Sequence, residues 1–257
     1  MTTGNTAAPQ QRQRVALVTG ALGGLGTAIA RALHDAGHRV LASDLPEPDK
    51  AEAWLKEQAQ EGYAFTFYGA DVSEFDSTQA MANQVFADGH EVDILINNAG
   101  ITRDASFRKL SKEAWDAVLR TNLDSLFNVT KPFIDGMVGR GWGRVINISS
   151  VNGSKGQFGQ TNYSSAKSGI YGFTKSLALE VARKGVTVNA ISPGYLATQM
   201  VEAVPKEVLE GQILPGIPVG RLGRPEHIAA LVAFVASDLA EYMTGSNVAI
   251  NGGLHMY

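Results

Sequence analysis

Short apolar runs alternate with amphipathic segments along almost the whole chain. The first run, Val15–Val18, is apolar at every position, which is typical of a parallel strand covered on both faces. The same patterns predict further strands at 39–43, 64–68, 92–96, 144–149, 186–191 and 247–250, and helices at 27–36, 51–61, 77–87, 111–138, 164–183 and 225–237. No repeat or low-complexity linker interrupts them, so we predict a single doubly wound α/β domain of about seven parallel strands.

Two segments lie outside this regular pattern. Residues 1–13 are polar and contain no apolar stretch of signal-peptide length, so we predict a flexible N-terminal tail before a domain at 14–257. The mixed, proline-containing segment at about 198–220 is predicted to be a mobile, partly helical lid of that domain.

A glycine-rich loop, Thr19–Gly26, joins the first strand to the first helix. Glycines at such a junction allow a tight turn and let the backbone approach a pyrophosphate, whose charge the helix N-terminus stabilises. Many glycine clusters are only turns, but this position between a strand and a helix favours a dinucleotide site. The candidate contacts are Gly20, Leu22, Gly23, Gly24, Leu25 and Gly26.

Asp44 ends the second predicted strand, where an acid about 20 residues beyond the loop binds the ribose hydroxyls of NAD and repels the 2′-phosphate of NADP. The loop contains no Lys or Arg, and Lys50 is offset by Glu47 and Asp49. The sequence therefore favours NADH, with NADPH as the other option. The alternative is that Asp44 only forms the turn before Pro46.

Polar residues also follow the later strands. Asp71–Val72 either brings a carboxylate to an adenine amino group or starts a turn in which Ser73 or Asp76 caps the next helix. Asn97–Gly100 ends the fourth strand, and its amides either line a ligand crevice or satisfy local backbone groups. The candidate cofactor contacts at these strand ends are Asp71, Val72, Asn98, Ala99, Gly100, Pro193, Gly194 and Thr198. Thr198 is equally suited to capping a helix.

Tyr163 and Lys167 lie four residues apart in a predicted helix and therefore share one face. Ser150 follows a predicted strand upstream of them. A phenol, an ammonium and a hydroxyl together are suited to proton delivery, although Tyr–Lys spacing alone is common on surface helices. Asn122 falls inside a predicted helix, where Asn is unfavourable, so it either makes a specific hydrogen bond or faces solvent.

Composition narrows the expected partners. The chain of 257 residues has a net charge of −3, so nucleic acid is not an expected partner. It has no cysteine, which excludes disulfides, thiolate catalysis and zinc–cysteine sites, and we predict no metal site. No run approaches the roughly 18 apolar residues of a membrane helix, so we expect a cytoplasmic protein without membrane contact.

Together these residues resemble the short-chain dehydrogenase/reductase family over nearly the whole chain, from Val15 to Asn251. Thr19–Gly26 matches the TGxxxGxG loop of that family, Asn97–Gly100 its NNAG motif and Pro193–Gly194 its later cofactor motif. The resemblance implies a Rossmann-type domain, a nicotinamide cofactor and a homotetramer. It also implies a catalytic tetrad of Asn122, Ser150, Tyr163 and Lys167.

The resemblance assigns a role to each member of the tetrad. Tyr163 would donate its proton to the developing alkoxide, and Ser150 would hydrogen-bond the same oxygen. Lys167, with the oxidised nicotinamide nearby, would lower the pKa of Tyr163 from about 10 and hold the ribose hydroxyls. Asn122 would anchor a water that leads protons from Lys167 to solvent.

Within the family, the chain is most similar to the acetoacetyl-CoA reductases of polyhydroxybutyrate synthesis. The segments that carry this similarity are Gly100–Asp104, Ser125–Lys131, Arg140–Arg144, Ser150–Gln160 and Asn251–Met256. The similarity implies acetoacetyl-CoA as the substrate. The implied substrate contacts are Asp104, Ser150, Gln157, Phe158, Gln160, Tyr163 and Tyr195.

Two features depart from these reductases. The acetoacetyl-CoA reductases generally use NADPH and lack an acid in the place of Asp44, so their cofactor differs from the NADH expected here. They also carry an Arg in the lid where this chain has Pro205 followed by Lys206, so that Arg is not available here for a contact with CoA. The alternatives are a 3-oxoacyl-[acyl-carrier-protein] reductase and a non-catalytic dinucleotide-binding scaffold, and the complete tetrad argues against the scaffold.

Overall fold

The apolar runs of the chain form the strands of one parallel sheet. The structure is a computed structural model that describes residues 12–197, 207 and 209–256, and seven strands are present within them. They are β1 (Val15–Thr19), β2 (Arg39–Asp44), β3 (Phe65–Gly69), β4 (Val92–Asn97), β5 (Gly143–Ile148), β6 (Val186–Pro193) and β7 (Asn247–Ile250). The order in the sheet is β3-β2-β1-β4-β5-β6-β7, and all pairs are parallel. The predicted doubly wound fold is confirmed.

Helices connect these strands and cover the sheet. They are α1 (Gly24–Asp35), α2 (Pro48–Gln60), α3 (Phe75–Ala87), α4 (Lys112–Leu119), α5 (Ser125–Arg140), α6 (Val151–Lys155), α7 (Thr161–Val181) and α8 (Pro225–Ala236). The helix predicted at 111–138 is divided, because a π-helical segment, Arg120–Asp124, joins α4 to α5. After Ser150, where the sequence pattern predicts neither a strand nor a helix, the chain forms the short helix α6. Across the described residues, no helix combines the length and apolar character that a membrane span requires.

The predicted lid is described only in part. Residues 198–206 and 208 lie outside the described part of the chain, and the candidate Thr198 is among them. Of the described lid residues, Leu209–Ile213 is π-helical and Leu214–Gly216 is 3₁₀-helical. The prediction of a mobile lid stays a prediction.

The core lies in two layers, one on each face of the sheet. Along β1, Ala16 and Val18 pack in a layer with α1 and α8, whereas Leu17 packs in a layer with α3, α5 and α7. Because both faces are covered, β1, β4, β5 and β6 are buried at every position. Polar groups of these strands therefore gather where the strands begin and end.

The strand order separates two loops at the carboxyl edge of the sheet. From β1 the chain moves outward to β2 and β3 and then returns to β4 on the other side of β1. The loops after β1 and β4 consequently diverge, and doubly wound sheets bind ligands at such a switch point.

At the amino edge of the sheet, by contrast, charged groups pair with each other. Asp93, which is 3% exposed, accepts hydrogen bonds from Arg12 Nη2 at 2.6 Å and from Val15 N at 2.9 Å. Arg140 Nε lies 3.2 Å from the same carboxylate. Arg12 of the predicted tail is thus bound to the domain, while residues 1–11 lie outside the described residues.

A second group of charges surrounds Trp142 at the amino edge. The guanidinium carbons of Arg14 and Arg144 lie 3.6 Å and 4.3 Å from the centroid of its ring. Asp238 accepts a hydrogen bond from Trp142 Nε1 at 3.0 Å and pairs with Arg14 at 2.9 Å. These contacts fasten β1 and β5 to the segment that follows α8.

Candidate active site

The glycine loop lies against the end of β4, and close contacts require two of its glycines. Gly20 has a φ of +64°, and a Cβ there would lie 2.8 Å from Ala99 Cα. A Cβ on Gly26 would lie 2.0 Å from Gly20 O. Side chains at either position would force the loop away from its neighbours. The loop is therefore a cradle of bare backbone.

The first turn of α1 is the electropositive part of this cradle. The N-cap of the helix is Gly23, which has no side chain to occupy the first N–H groups. Gly23 and Gly24 are exposed, so these N–H groups are accessible. Free N–H groups at the positive end of a helix dipole bind anions. The residues present fit the pyrophosphate of a dinucleotide.

Asp44 borders the cradle at the end of β2. Its Oδ2 accepts a hydrogen bond from Leu22 N at 3.1 Å, and its Oδ1 accepts one from Leu45 N at 2.9 Å. Asp44 therefore takes part in the turn before Pro46 and also places a carboxylate beside the glycine loop. A negative charge here repels a further phosphate.

Thr19 and Asn98 fasten the cradle to the end of β4. Asn98 Nδ2 donates to the carbonyl oxygens of Thr19 and Gly20, at 3.0 Å and 3.1 Å. Thr19 Oγ1 accepts hydrogen bonds from the N–H groups of Asn98 and Ala99, at 3.1 Å and 3.2 Å. Asn98 thus satisfies local backbone groups, the second of the two roles that the sequence allowed.

Asn97 points away from the crevice. Its buried side chain donates to Asn147 Oδ1 at 2.8 Å and to Thr130 Oγ1 at 3.2 Å. Asn97 therefore takes neither of the two roles that the sequence allowed, because its side chain is buried and bound to other side chains.

Asp71 and Val72 form a turn after β3. Asp71 Oδ1 accepts hydrogen bonds from the N and Oγ of Ser73, at 2.9 Å and 2.7 Å. Val72 is buried in the core. The turn is therefore present, but the N-cap of α3 is Glu74 and not Ser73 or Asp76. The contact of Asp71 with adenine stays a prediction.

Ser150 follows β5 directly and begins α6. Its Oγ accepts a hydrogen bond from Asn152 N at 3.1 Å, which makes Ser150 the N-cap of this helix. The Ser150 hydroxyl also lies next to the phenol of Tyr163, and this interaction lowers the pKa of the phenol. The helix that the sequence did not predict is therefore what orients the Ser150 side chain.

Tyr163 and Lys167 share one face of α7, as their spacing predicted. Lys167 is 4% exposed, and its Nζ donates to Ile148 O at 2.8 Å. The same nitrogen lies 5.6 Å from the centroid of the Tyr163 ring. The ammonium is thus held at the end of β5, beside the phenol.

Burial shifts the pKa values of both side chains. It lowers the pKa of Lys167 to about 8. It raises the pKa of Tyr163 to about 12, while the Ser150 hydroxyl acts in the opposite direction. Asp104, Tyr171 and Tyr195 act in the same direction as burial. The lowering expected beside Lys167 and an oxidised nicotinamide stays a prediction. Tyr163 keeps its proton throughout the neutral pH range.

Asn122 is buried within the π-helical segment. It is 2% exposed, its Oδ1 accepts from Ile101 N at 2.8 Å, and its Nδ2 donates to Ile101 O at 2.7 Å. A Cβ on Gly100 would lie 2.7 Å from Asn122 Oδ1 and 3.5 Å from Lys167 Nζ. The alternative of a solvent-facing Asn is wrong, and the four members of the predicted tetrad meet at one edge. Single π turns inside helices often mark functional sites.

The implied substrate contacts fall into two groups. Asp104 Oδ2 accepts a hydrogen bond from Gln160 Nε2 at 2.8 Å, and Gln160 Oε1 accepts one from Asn152 Nδ2 at 2.9 Å. This relay connects Asp104 and Gln160 to the helix that Ser150 caps. Gln157, by contrast, accepts a hydrogen bond from a lysine, and Phe158 is 89% exposed.

The end of β6 forms the other wall of the site. Pro193 is the last residue of β6, and Gly194 N continues the ladder by donating to Ile250 O at 3.0 Å. A Cβ on Gly194 would lie 2.8 Å from Asn251 Cα. Tyr195 follows, and its phenol contributes to the raised pKa of Tyr163. Tyr195 therefore lies on the catalytic side of the sheet.

Sequence reasoning missed three contributors to this site, namely Thr19, Asn152 and Tyr171. Thr19 opens the TGxxxGxG motif, so the motif could have drawn attention to it, whereas no pattern in the sequence distinguishes Asn152. Tyr171 lies one helical turn beyond Lys167 in α7, so continuing the Tyr163–Lys167 spacing by four residues would have found it.

One family model and several known proteins match most of the chain. The model, described as short chain dehydrogenase, matches residues 14–208. An acetoacetyl-CoA reductase of Cupriavidus necator is 55% identical over 95% of this chain and 99% of the relative. A nodulation protein G of Azospirillum brasilense is 56% identical over 95% of this chain and 98% of the relative. A 3-oxoacyl-[acyl-carrier-protein] reductase of Haemophilus influenzae is 42% identical over 95% of this chain and 98% of the relative.

Proposed function

Because the chain belongs to the short-chain dehydrogenase family and is thus an NAD(P)-dependent oxidoreductase, we propose that it reduces acetoacetyl-CoA to 3-hydroxybutyryl-CoA for polyhydroxybutyrate synthesis. The observation that carries the proposal is the meeting of Ser150, Tyr163 and Lys167 at the end of β5. The Cupriavidus relative, at 55% identity over 95% of the chain, supports the substrate.

The residues of the site supply a proton and hold the substrate oxygen. Tyr163, with a pKa of about 12, donates its proton to the 3-oxo oxygen as that oxygen gains negative charge. The hydroxyl of Ser150, oriented as the N-cap of α6, hydrogen-bonds the same oxygen. The ammonium of Lys167 stabilises the charge that Tyr163 carries after it has given up its proton.

A bound nicotinamide dinucleotide supplies the hydride for the 3-oxo carbon. The glycine cradle and the first turn of α1 would hold its pyrophosphate, and Lys167 its ribose hydroxyls. We assign NADH as the preferred form, because the Asp44 carboxylate beside Leu22 N repels the 2′-phosphate of NADPH.

A two-by-two assay tests the substrate and the cofactor together. Initial rates are measured for acetoacetyl-CoA and for a 3-oxoacyl-acyl-carrier-protein, each with NADH and with NADPH. The proposal expects the highest kcat/KM for acetoacetyl-CoA with NADH. A higher kcat/KM for the carrier-protein substrate would overturn the substrate assignment, and equal or better NADPH kinetics would overturn the cofactor assignment.

The second candidate function is that of a 3-oxoacyl-[acyl-carrier-protein] reductase. It is favoured by the Haemophilus relative of that name, at 42% identity. The same chemistry acts on the same 3-oxo group in both functions, so the tetrad does not separate them. The higher identity to the acetoacetyl-CoA reductase places the carrier-protein substrate second. Oxidation of NADH on adding either substrate would dismiss a non-catalytic scaffold.

The proposed enzyme is a cytoplasmic homotetramer. Apolar side chains stand exposed on its helices, among them Phe127 on α5, Leu179 on α7 and Phe234 on α8. The sheet also ends in β7, a four-residue strand with β6 as its neighbour. Exposed apolar groups and an open sheet edge are the features that subunit contacts cover. Light scattering coupled to size-exclusion chromatography would show a mass about four times the chain mass, in line with closed symmetric assembly.

A further inference from the structure

A third polar residue stands on the catalytic face of α7. Tyr163, Lys167 and Tyr171 follow one another at intervals of one turn. The first two are members of the tetrad. The phenol of Tyr171 lies at the back of the site, where the ends of β5 and β6 approach α7.

The hydroxyl of Tyr171 contacts three serines. It donates to the carbonyl oxygen of Ser150 at 3.0 Å. It also lies 2.9 Å from Ser154 Oγ and 3.1 Å from Ser192 Oγ. Ser150 and Ser154 lie at the N-cap and inside the helix α6, and Ser192 lies in the strand β6.

The backbone around this hydroxyl is tightly packed. A Cβ on Gly153 would lie 2.9 Å from the Tyr171 oxygen and 2.8 Å from the carbonyl carbon of Lys167. Ser192, which is fully buried, donates onward to Asn247 Oδ1 at 2.7 Å. The phenol therefore cannot move without moving α6 or the end of β6.

We propose that Tyr171 is a positioning residue that sets the place of the Ser150 hydroxyl relative to the Tyr163 phenol. It binds the peptide carbonyl of Ser150, the same residue whose side chain holds the substrate oxygen. The helix α7 also carries Tyr163 and Lys167. The hydroxyl of Tyr171 therefore connects Ser150 to the same rigid helix that holds the other two groups of the proton-delivery site. The inference rests on the proposed reduction, in which Ser150 and Tyr163 act on one oxygen.

The contacts of Tyr171 also extend to the cofactor side of the site. Ser192 directly precedes Pro193–Gly194, and its Oγ is one of the groups that the phenol meets. Loss of the Tyr171 hydroxyl would therefore loosen the Ser150 peptide first and the end of β6 second. A displacement of about 1 Å in a catalytic group costs up to about a hundredfold in rate.

The test is Tyr171→Phe, which removes only the hydroxyl. We expect kcat to fall roughly tenfold, with KM for the substrate and the Kd for NADH within about twofold of wild type, because geometry is lost and binding groups are kept. The matched control is Tyr68→Phe on β3, which removes the buried hydroxyl that donates to Asp88 at 2.8 Å. It should lower the melting temperature without changing kcat.

Two outcomes would overturn the inference. One is a kcat of Tyr171→Phe within about twofold of wild type, and the other is a fall of equal size in Tyr68→Phe, which would indicate a general loss of stability. Ser154→Ala refines the assignment, since it removes a partner of Tyr171 but keeps the bond to the Ser150 carbonyl. We expect kcat of Ser154→Ala to stay within about twofold of wild type. A tenfold fall would mean that Tyr171 acts by holding the helix α6 and not through the Ser150 carbonyl.

The variants are assayed with acetoacetyl-CoA and with a 3-oxoacyl-acyl-carrier-protein. If wild type acts only on the carrier-protein substrate, the proposed function fails, while the ratio of wild type to Tyr171→Phe on that substrate still decides the role of Tyr171. If wild type acts on acetoacetyl-CoA and the ratio is near one, the inference about Tyr171 fails alone.

Discussion

The polar groups at the two edges of the sheet differ in how they are paired. At the amino edge, Asp93 is surrounded by Arg12, Arg140 and the N–H of Val15, and Trp142 is surrounded by charged groups that also pair with each other. At the carboxyl edge, the polar groups are aimed at the loops and at each other across a crevice. The same seven strands thus end in a closed network on one side and in an open site on the other.

Buried polar atoms without a hydrogen-bond partner sharpen this comparison. Among the described residues, four side-chain atoms are in this state. Asn152 Oδ1 and Ser164 Oγ belong to residues close to Ser150 and Tyr163 in the chain, whereas Asn97 Oδ1 belongs to a side chain at the end of β4 that points away from the crevice. The fourth, Arg140 Nε, is at the amino edge and still lies 3.2 Å from Asp93. Native proteins leave few buried groups unpaired, and function is one reason to do so. The amino edge therefore serves stability and the carboxyl edge serves chemistry.

The largest expected effect is a loss of activity caused by a change at the carboxyl edge. Tyr163→Phe removes the proton donor, so reduction should fall by about 10³-fold, within the range for general acid catalysis, while NADH binding and the melting temperature are kept. Steady-state kinetics and a fluorescence titration measure these quantities, with Tyr68→Phe as the control for loss of a tyrosine hydroxyl. Substantial turnover in Tyr163→Phe would show that another group donates the proton.

The second prediction is a loss of stability caused by a change at the amino edge. Asp93→Asn removes the buried carboxylate between Arg12 and Arg140, so the free energy of unfolding should fall by about 1–2 kcal/mol, less than for a fully buried pair because Arg12 is half exposed and Glu91 stays near both arginines. Denaturant unfolding measures it, and kcat of the folded fraction should not change. Glu47→Gln, which removes the exposed pair with Lys50, is the control and should cost less than about 0.5 kcal/mol. A loss of kcat without a loss of stability in Asp93→Asn would break the comparison.

A third, smaller effect lies within the carboxyl edge. Asp44→Asn keeps an acceptor for Leu22 N but removes the charge, so the ratio of kcat/KM for NADH to that for NADPH should fall by about tenfold, or about 1.4 kcal/mol. Asp49→Asn makes the same charge change on α2 and should leave the ratio within about twofold. An unchanged ratio in Asp44→Asn would mean that the turn is the whole role of Asp44.

The smallest expected effect is a pH dependence. Lys167 is protonated below its pKa of about 8 and loses its charge as the pH rises through that value, whereas Tyr163 stays protonated up to about pH 12. The kcat/KM for reduction should be level at pH 6–7 and lower by about twofold at pH 8, because half of the Lys167 population is then neutral. A profile that stays level to pH 9.5 would show that reduction does not need the ammonium.

Much of this protein followed from residues close together in the chain. The alternation of apolar runs and amphipathic segments predicted the parallel sheet, and all seven predicted strands lie within two residues of those observed. The glycine loop was found because a strand, glycines and a helix succeed one another within about a dozen residues. Tyr163 and Lys167 share a face because they are one turn apart in α7.

The features that the sequence left open depend on contacts between distant residues. Asn97 and Asn98 are equivalent candidates in the sequence, and only the pairing of β4 with β5 places Asn97 against Asn147. Whether Asn122 was buried depended on the loop at Ile101, which a helical pattern does not show. The direction of the Tyr163 pKa depended on burial by several elements at once.

By itself the sequence determined the order of the elements, the glycine cradle and the helical face that carries Tyr163 and Lys167, because each is encoded by short-range periodicity and spacing. Tertiary structure alone decided that Ser150 caps a short helix, that a π turn buries Asn122 and that Tyr171 reaches the Ser150 peptide. These outcomes depend on how β5, β6 and α7 pack together, since a hydrogen bond across 21 residues has no local signature.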